Sequence, residues 1–126
     1  MKIAFISNGN SLRSQLAASI AKKDFLDFEI ISVGSEKDDK DPTVYSVLQE
    51  EGLDLENIEF KSLLDLEFDL DYAVIVGCEE GCPLVFADKI FEWEHIVNPK
   101  DESIDVYREA RNQLKIEIKK LAKEIL

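Results

Sequence analysis

The sequence predicts a single α/β domain, an open three-layer parallel sheet of four strands with helices on both faces. Three observations carry that prediction. Short β-branched runs alternate with stretches of helical periodicity along the chain, as in proteins built from βαβ units. The run DYAVIVGC at residues 71–78 is apolar on both faces, the pattern of a central parallel strand covered from each side. Finally, 126 residues with 45% apolar and 9% aromatic side chains suffice for one core, so one domain is expected over residues 1–126. No linker, repeat or low-complexity segment interrupts it.

Residues 3–6 give the first strand, residues 13–25 the first helix, and FEIISVG at 28–34 the second strand, which completes one βαβ unit. After the charged loop SEKDDKD, Asp41 is placed to cap a second helix, PTVYSVLQEEG, with Pro42 in its first turn and Gly52 as its stop. Residues 53–70 are the least periodic part of the chain. Residues 71–78 then form the third strand and EHIVNP a short fourth. From Asp101 onward Tyr107, Ala110, Leu114, Ile118, Leu121 and Ile125 recur at helical spacing, a stripe that buries the last helix on the sheet.

Twenty-seven acidic residues against fifteen basic ones give a net charge of −12. That field repels polynucleotides and anionic membrane surfaces over about a Debye length, so neither nucleic acid nor membrane is expected as a partner. It also opposes anionic ligands, so an oxyanion site here must draw its affinity from short-range donors. No apolar run approaches the roughly 20 residues of a bilayer span, and KIAFIS follows the first methionine without a leader; a cytoplasmic protein is expected. Cys78 and Cys82 are too few for a disulfide scaffold and, by themselves, for a four-ligand zinc site. No metal is expected, and any chemistry the two thiols perform is redox chemistry.

The segment SNGNSLRS, residues 7–14, runs from the first strand into the first helix. In an open parallel sheet that turn borders the ligand crevice, and the N–H groups of the first helical turn have no intrahelical carbonyls to use. Gly9 permits positive φ and close backbone approach, Asn10 tolerates left-handed geometry, and the hydroxyls of Ser11 and Ser14 can donate or cap. Arg13 adds a planar fork that matches two oxygens of a tetrahedral anion. Asn8, Gly9, Asn10, Ser11, Leu12, Arg13 and Ser14 are therefore candidate oxyanion-binding residues. Turn chemistry alone equally allows a plain polar turn with Ser11 as N-cap and a solvated Arg13. The position directly after the first strand favours the cradle.

The same segment resembles the active-site loop of low-molecular-weight protein tyrosine phosphatases and of the thioredoxin-coupled arsenate reductases that share their fold. That loop runs cysteine, five residues, arginine, serine. The likeness extends over nearly the whole chain: ISVGS is similar to the second strand and its glycine, DPTVYSVLQEEGLDL to the second helix, KSLLDLEFDLDYAVIVGC to the approach to the third strand, and WEHIVNP to the acid loop. The resemblance implies a nucleophile position at Ser7, an oxyanion clamp at Arg13 and a general-acid position at Asn98, before Pro99. It also implies the reductase branch. Leu12 stands where the phosphatases usually carry a second cysteine, whereas VGCEEGCPL puts Cys78 and Cys82 where the reductases keep their resolving thiols. In those relatives a thiolate attacks arsenate, a second cysteine releases arsenite by forming a disulfide with the first, and a third passes that disulfide outward to thioredoxin or a similar reductant. No cofactor is implied. Gly81 and Pro83 would let the segment rearrange. By residue type alone Cys78 is equally a small buried residue ending a strand, and Cys82 an incidental loop thiol.

Two positions depart from that pattern. A serine hydroxyl does not ionise at a helix terminus as a thiol does, so Ser7 needs a general base. The sole histidine, His95, lies near the acid loop, where a half-exposed structural role is expected. Asn98 can donate a hydrogen bond but cannot transfer a proton, and NPKD also reads as a helix-starting turn; Glu94 and Asp101 are the carboxylates nearby. Gln15 stands where relatives often have proline. The expectation is a reductase-like protein that binds phosphate, arsenate or sulfate at residues 7–14, with little or no turnover while Ser7 replaces cysteine. A phosphotyrosine phosphatase and a non-catalytic module recognising a phosphorylated ligand are the alternatives.

Overall fold

The computed structural model describes residues 1–8, 12–34, 41–65, 69–78 and 85–126, with the backbone alone at Asn8 and Cys78. Along the chain these form β1 (Lys2–Asn8), α1 (Leu12–Ala21), β2 (Glu29–Gly34), α2 (Pro42–Gln49), β3 (Glu59–Ser62), a 3₁₀ turn (Leu63–Asp65), β4 (Leu70–Cys78), β5 (Ala87–Glu92) and α3 (Ile104–Ile125). The strands lie in the order β3-β2-β1-β4-β5, and every neighbouring pair is parallel. No helix among the described residues is long and apolar enough to cross a membrane.

The described sheet has five strands where the sequence pattern predicts four. The two strands gained, β3 and β5, lie at the edges, and one predicted strand is lost. β3 lies in the least periodic segment, has only four residues, and buries none of them fully. β5 is charged and mostly exposed along Asp88, Lys89 and Ile90, as befits an edge strand guarded against pairing with other chains. The predicted strand EHIVNP is instead a loop: after the Trp93 N–H extends the ladder to the Ile75 carbonyl at 2.8 Å, the chain turns away. The last helix begins at Ile104 and not at Asp101, because Asp101 adopts a left-handed backbone (φ 61°) that no α-helix can include. The first helix ends at Ala21, four residues short of expectation.

From β1 the chain moves to β2 and then β3 on one side, and afterwards to β4 and β5 on the other. Right-handed crossovers in one direction put α1 and α2 on the same face, and α3 returns to pack against both. Ile3, Phe5, Val74 and Val76 share one buried cluster there with residues of all three helices. On the opposite face Ala4, Ile6, Ile31, Val33, Ala73 and Ile75 form a second buried cluster, joined by Leu63, Leu70, Val85 and Ala87. α1 is buried on every side over all ten residues, which its alanines and serine make possible by letting neighbours approach closely.

Asp41 caps α2 as expected: its Oδ1 accepts from the Thr43 N–H at 2.8 Å, while Oδ2 accepts from the Tyr107 hydroxyl of α3 at 2.6 Å. At the other end of α2, Glu50 takes Arg108 and Arg111 of α3, each at 2.7 Å, and Gly52 turns the chain at φ 68°. The two helices are thus clamped at both ends by side chains with opposite roles, acid on α2 and donor on α3.

Candidate functional site

Strand order reverses beside β1, so the crevice predicted for such sheets lies at the carboxyl ends of β1 and β4. A β-bulge falls at that point. Ile6 pairs with Ile75, but Ser7 pairs with Gly77 and Asn8 with Cys78, leaving Val76 as the extra residue. Bulges re-aim side chains at strand ends, and here the bulge sits directly under the residue at which the chain leaves the sheet for α1.

Ser7 and Ser14 are both fully buried, and the Ser7 hydroxyl donates to Ser14 Oγ at 3.1 Å. Ser32 of β2, 2% exposed, donates to the same Ser14 oxygen, also at 3.1 Å. Three hydroxyls from three elements, β1, α1 and β2, therefore form one chain near the end of β1. Arg13, in the first turn of α1, is only 1% exposed; its Nη1 donates to the Ile96 carbonyl at 3.3 Å. The guanidinium lies against the Cα of Gly77, where any added methyl group would overlap its carbon and both terminal nitrogens. Leu12, by contrast, turns into the hydrophobic core.

The sequence-predicted residues are therefore distributed unevenly. Ser7, Arg13 and Ser14 come together at the strand ends, and the backbone of Cys78, the last residue of β4, stands in register with Asn8. Gly9, Asn10, Ser11 and Cys82 lie outside the described residues. Asn98 is half-buried, and its Oδ1 accepts from the Lys100 N–H at 3.2 Å, the geometry of a local turn; its loop reaches the site through Ile96. Glu94 and Asp101 are exposed, and His95, whose side chain is 57% exposed, faces Glu117 of α3 at 3.3 Å.

Three contributors escape a reading of the sequence. Ser32 is a hydroxyl inside a β-branched run. Gly77 is a glycine inside a central strand, itself a signal of a bulge or a close approach. Gln113 of α3, whose Oε1 accepts from the Val97 N–H at 2.8 Å, has no local signal at all.

Comparison with known proteins fits this geometry. The chain matches the family model described as low molecular weight phosphotyrosine protein phosphatase over residues 2–126. A glutaredoxin arsenate reductase of Synechocystis sp. is 29% identical over 129 residues, covering 98% of each chain. Among solved structures, an arsenate reductase in the reduced state aligns with a TM-score of 0.83 at 27% identity, covering 99% of this chain and 98% of that one. An arsenate reductase in the phosphate binding state aligns at 0.81 with 23% identity and the same coverage, a likeness of fold. A switch-point crevice, a buried arginine opening α1 and a match along almost the whole chain agree: this protein belongs to the low molecular weight phosphotyrosine protein phosphatase family, on its arsenate reductase side.

Proposed function

We propose that this chain is an arsenate reductase-like protein that binds a tetrahedral oxyanion, phosphate, arsenate or sulfate, within residues 7–14, and that it turns over little or not at all while serine occupies position 7. The observation that carries the reading is Arg13: a guanidinium held at 1% exposure against Gly77, the strand partner of Ser7, at the strand ends where open sheets of this kind take ligands. In a site so desolvated, charge-assisted bonds to an anion are strong, which offsets the protein's overall negative field. The backbone of Asn8 to Leu12 would supply the remaining donors.

In this reading Ser7 marks the place of the attacking thiol, and Cys78 and Cys82 form the relay that would carry the resulting disulfide outward to a cytoplasmic thioredoxin or glutaredoxin. Support comes from the named relatives, among them a glutaredoxin-coupled enzyme, and from the register that sets Cys78 opposite Asn8. Calorimetric titration of the protein with phosphate tests the binding half; no heat at millimolar anion would sink it. The Ser7→Cys variant with arsenate, a thioredoxin or glutaredoxin system and NADPH tests the rest, and the expected result is arsenite release.

A second reading has its own support. Ser7 and Asn98 together replace both groups that would move electrons or protons, while the binding residues stay. A phospho-ligand recognition module would look like this. If codon seven of the source gene encodes serine and Ser7→Cys reduces no arsenate yet phosphate binds, the module is the better description. Hydrolysis of a phosphotyrosine ester by Ser7→Cys would instead support the phosphatase.

A further inference from the structure

The peptide that joins Ile96 to Val97 is held from both edges. Its N–H donates to Gln113 Oε1 on α3 at 2.8 Å, and its carbonyl accepts from Arg13 Nη1 at 3.3 Å. A peptide unit is planar, so a partner that fixes the N–H direction also fixes the direction of the carbonyl on the opposite edge. Bonds at the two ends polarise one another in a buried setting. The α3 side chain thereby sets where the acceptor for the guanidinium stands.

The flat side of the same guanidinium is set by Gly77. A methyl group there would overlap the guanidinium carbon and both terminal nitrogens, so the group lies face-on against a Cα that carries no side chain. What such a methyl group meets is the far end of a side chain and not backbone. Its strain is therefore relieved by moving Arg13, with the strand left in place. The bulge puts Gly77 opposite Ser7, so the floor under the arginine is registered to the position where attack on the anion would begin.

We propose that Gln113 and Gly77 are positioning residues of the oxyanion site: Gln113 orients the Ile96–Val97 peptide at one edge of the Arg13 guanidinium, and Gly77 leaves the space its face occupies. The proposal rests on reading residues 7–14 as that site. Asn98 follows the clamped peptide directly, so the loop that carries it and the anion-binding arginine are set by the same contact.

The test uses the full chain and three variants, Gln113→Leu, Gln113→Glu and Gly77→Ala. Each is titrated calorimetrically with inorganic phosphate, melted thermally, and examined for the Arg13 Nε–H resonance by NMR without phosphate. Gln113→Leu and Gly77→Ala are expected to weaken phosphate binding about tenfold, as misplacing one charge-assisted donor does, and to shift the Arg13 resonance. Gln113→Glu keeps an acceptor oxygen, so its affinity should stay within about twofold of the parent and its Arg13 resonance in place. A side chain that merely fastened the loop would lower the melting temperature without moving that resonance. Unchanged affinity in Gln113→Leu, or an Arg13 resonance unmoved in it, overturns the role of Gln113, as does a Gln113→Glu variant as weak as Gln113→Leu. The same two results in Gly77→Ala overturn the role of Gly77. If the parent binds no phosphate, the oxyanion reading fails by itself, and the Arg13 resonances of the phosphate-free variants still decide whether Gln113 and Gly77 position the arginine.

Discussion

Arg13 and Arg111 are both almost wholly buried, at 1% and 8% exposure, and their described contacts differ in kind. Arg111, on α3, is held by charge: its Nη1 donates to the Glu50 carboxylate at 2.7 Å and to the Val47 carbonyl at 2.8 Å, and Arg108 joins the same carboxylate. Among the described contacts of Arg13 are a peptide carbonyl at its edge and a glycine against its face. A charge pair survives modest changes of angle and serves as a fastener. Contacts with a peptide dipole and a missing Cβ restrict the pose more closely, as the proposed anion-binding fork would require. The seam between α2 and α3 therefore reads as stability and the strand ends as the proposed oxyanion site, and substitutions should separate the two.

The largest effect is expected at Arg13. Arg13→Ala should weaken phosphate binding about 100-fold or more, because a bidentate charge-assisted contact is lost; as Arg13 is fully buried the melt should fall too, so affinity is read well below the variant's melting temperature. Arg13→Lys should fall between, since an ammonium keeps the charge without the fork. Parent-like affinity in the alanine variant would place the anion elsewhere. The converse substitution lies on the seam. Asp41→Ala removes both the α2 cap and the Tyr107 acceptor and should cost about 1–3 kcal/mol in denaturant unfolding, with phosphate affinity unchanged. A loss of affinity there would mean that the two regions are coupled.

Acid distinguishes the regions by a different route. The Arg108 and Arg111 guanidiniums bonded to Glu50 lower its pKa from 4.5 to about 2. Lys115 and Lys22 similarly hold Glu51 and Asp54 below the ordinary carboxylate range. Because the folded state binds these protons less readily than the unfolded chain, the stabilisation is complete above pH 4.5 and fades as pH falls toward 2. These groups are partly exposed, so salt should weaken the effect. Urea midpoints measured from pH 6 to 2.5 should decline, and Glu50→Gln should start lower and decline less steeply. An acid limb identical in Glu50→Gln would remove the seam from the explanation.

The features legible in the sequence are those that chemistry writes locally. Asp41, Pro42 and Gly52 bound α2 as turn and cap rules require, and the stripe from Tyr107 to Leu121 buries as its spacing predicts. The central strand, and the meeting of Ser7, Arg13 and Ser14 at the strand ends, are readable because periodicity and a position directly after β1 announce them. Edge strands were not, since β3 and β5 are short or charged and owe their conformation to ladder bonds with β2 and β4. Nor was the support around Arg13. Gly77 and Gln113 lie 64 and 100 residues from it in sequence, and only the folded sheet and α3 bring them to one guanidinium. The residues of the proposed site lie in a motif, and the groups that support Arg13 come from packing.

The smallest expected effect lies at Ser32, and it sharpens what Ser7 replaces. In the present chain the Ser7 and Ser32 hydroxyls both donate to Ser14. A thiolate at position 7 accepts and cannot donate, so in Ser7→Cys the rotor at Ser14 should turn to donate toward sulfur while still accepting from Ser32. Ser32→Ala alone should cost only about 1 kcal/mol of stability, the net worth of one hydrogen bond. In the Ser7→Cys background the same change should raise the thiol pKa, because the donor facing the thiolate loses its own polarising partner. Thiol alkylation rates against pH measure this directly. A profile unchanged by Ser32→Ala would reduce the hydroxyl chain to packing, whereas an upward shift would show that β2 tunes the reactivity of position 7 through Ser14.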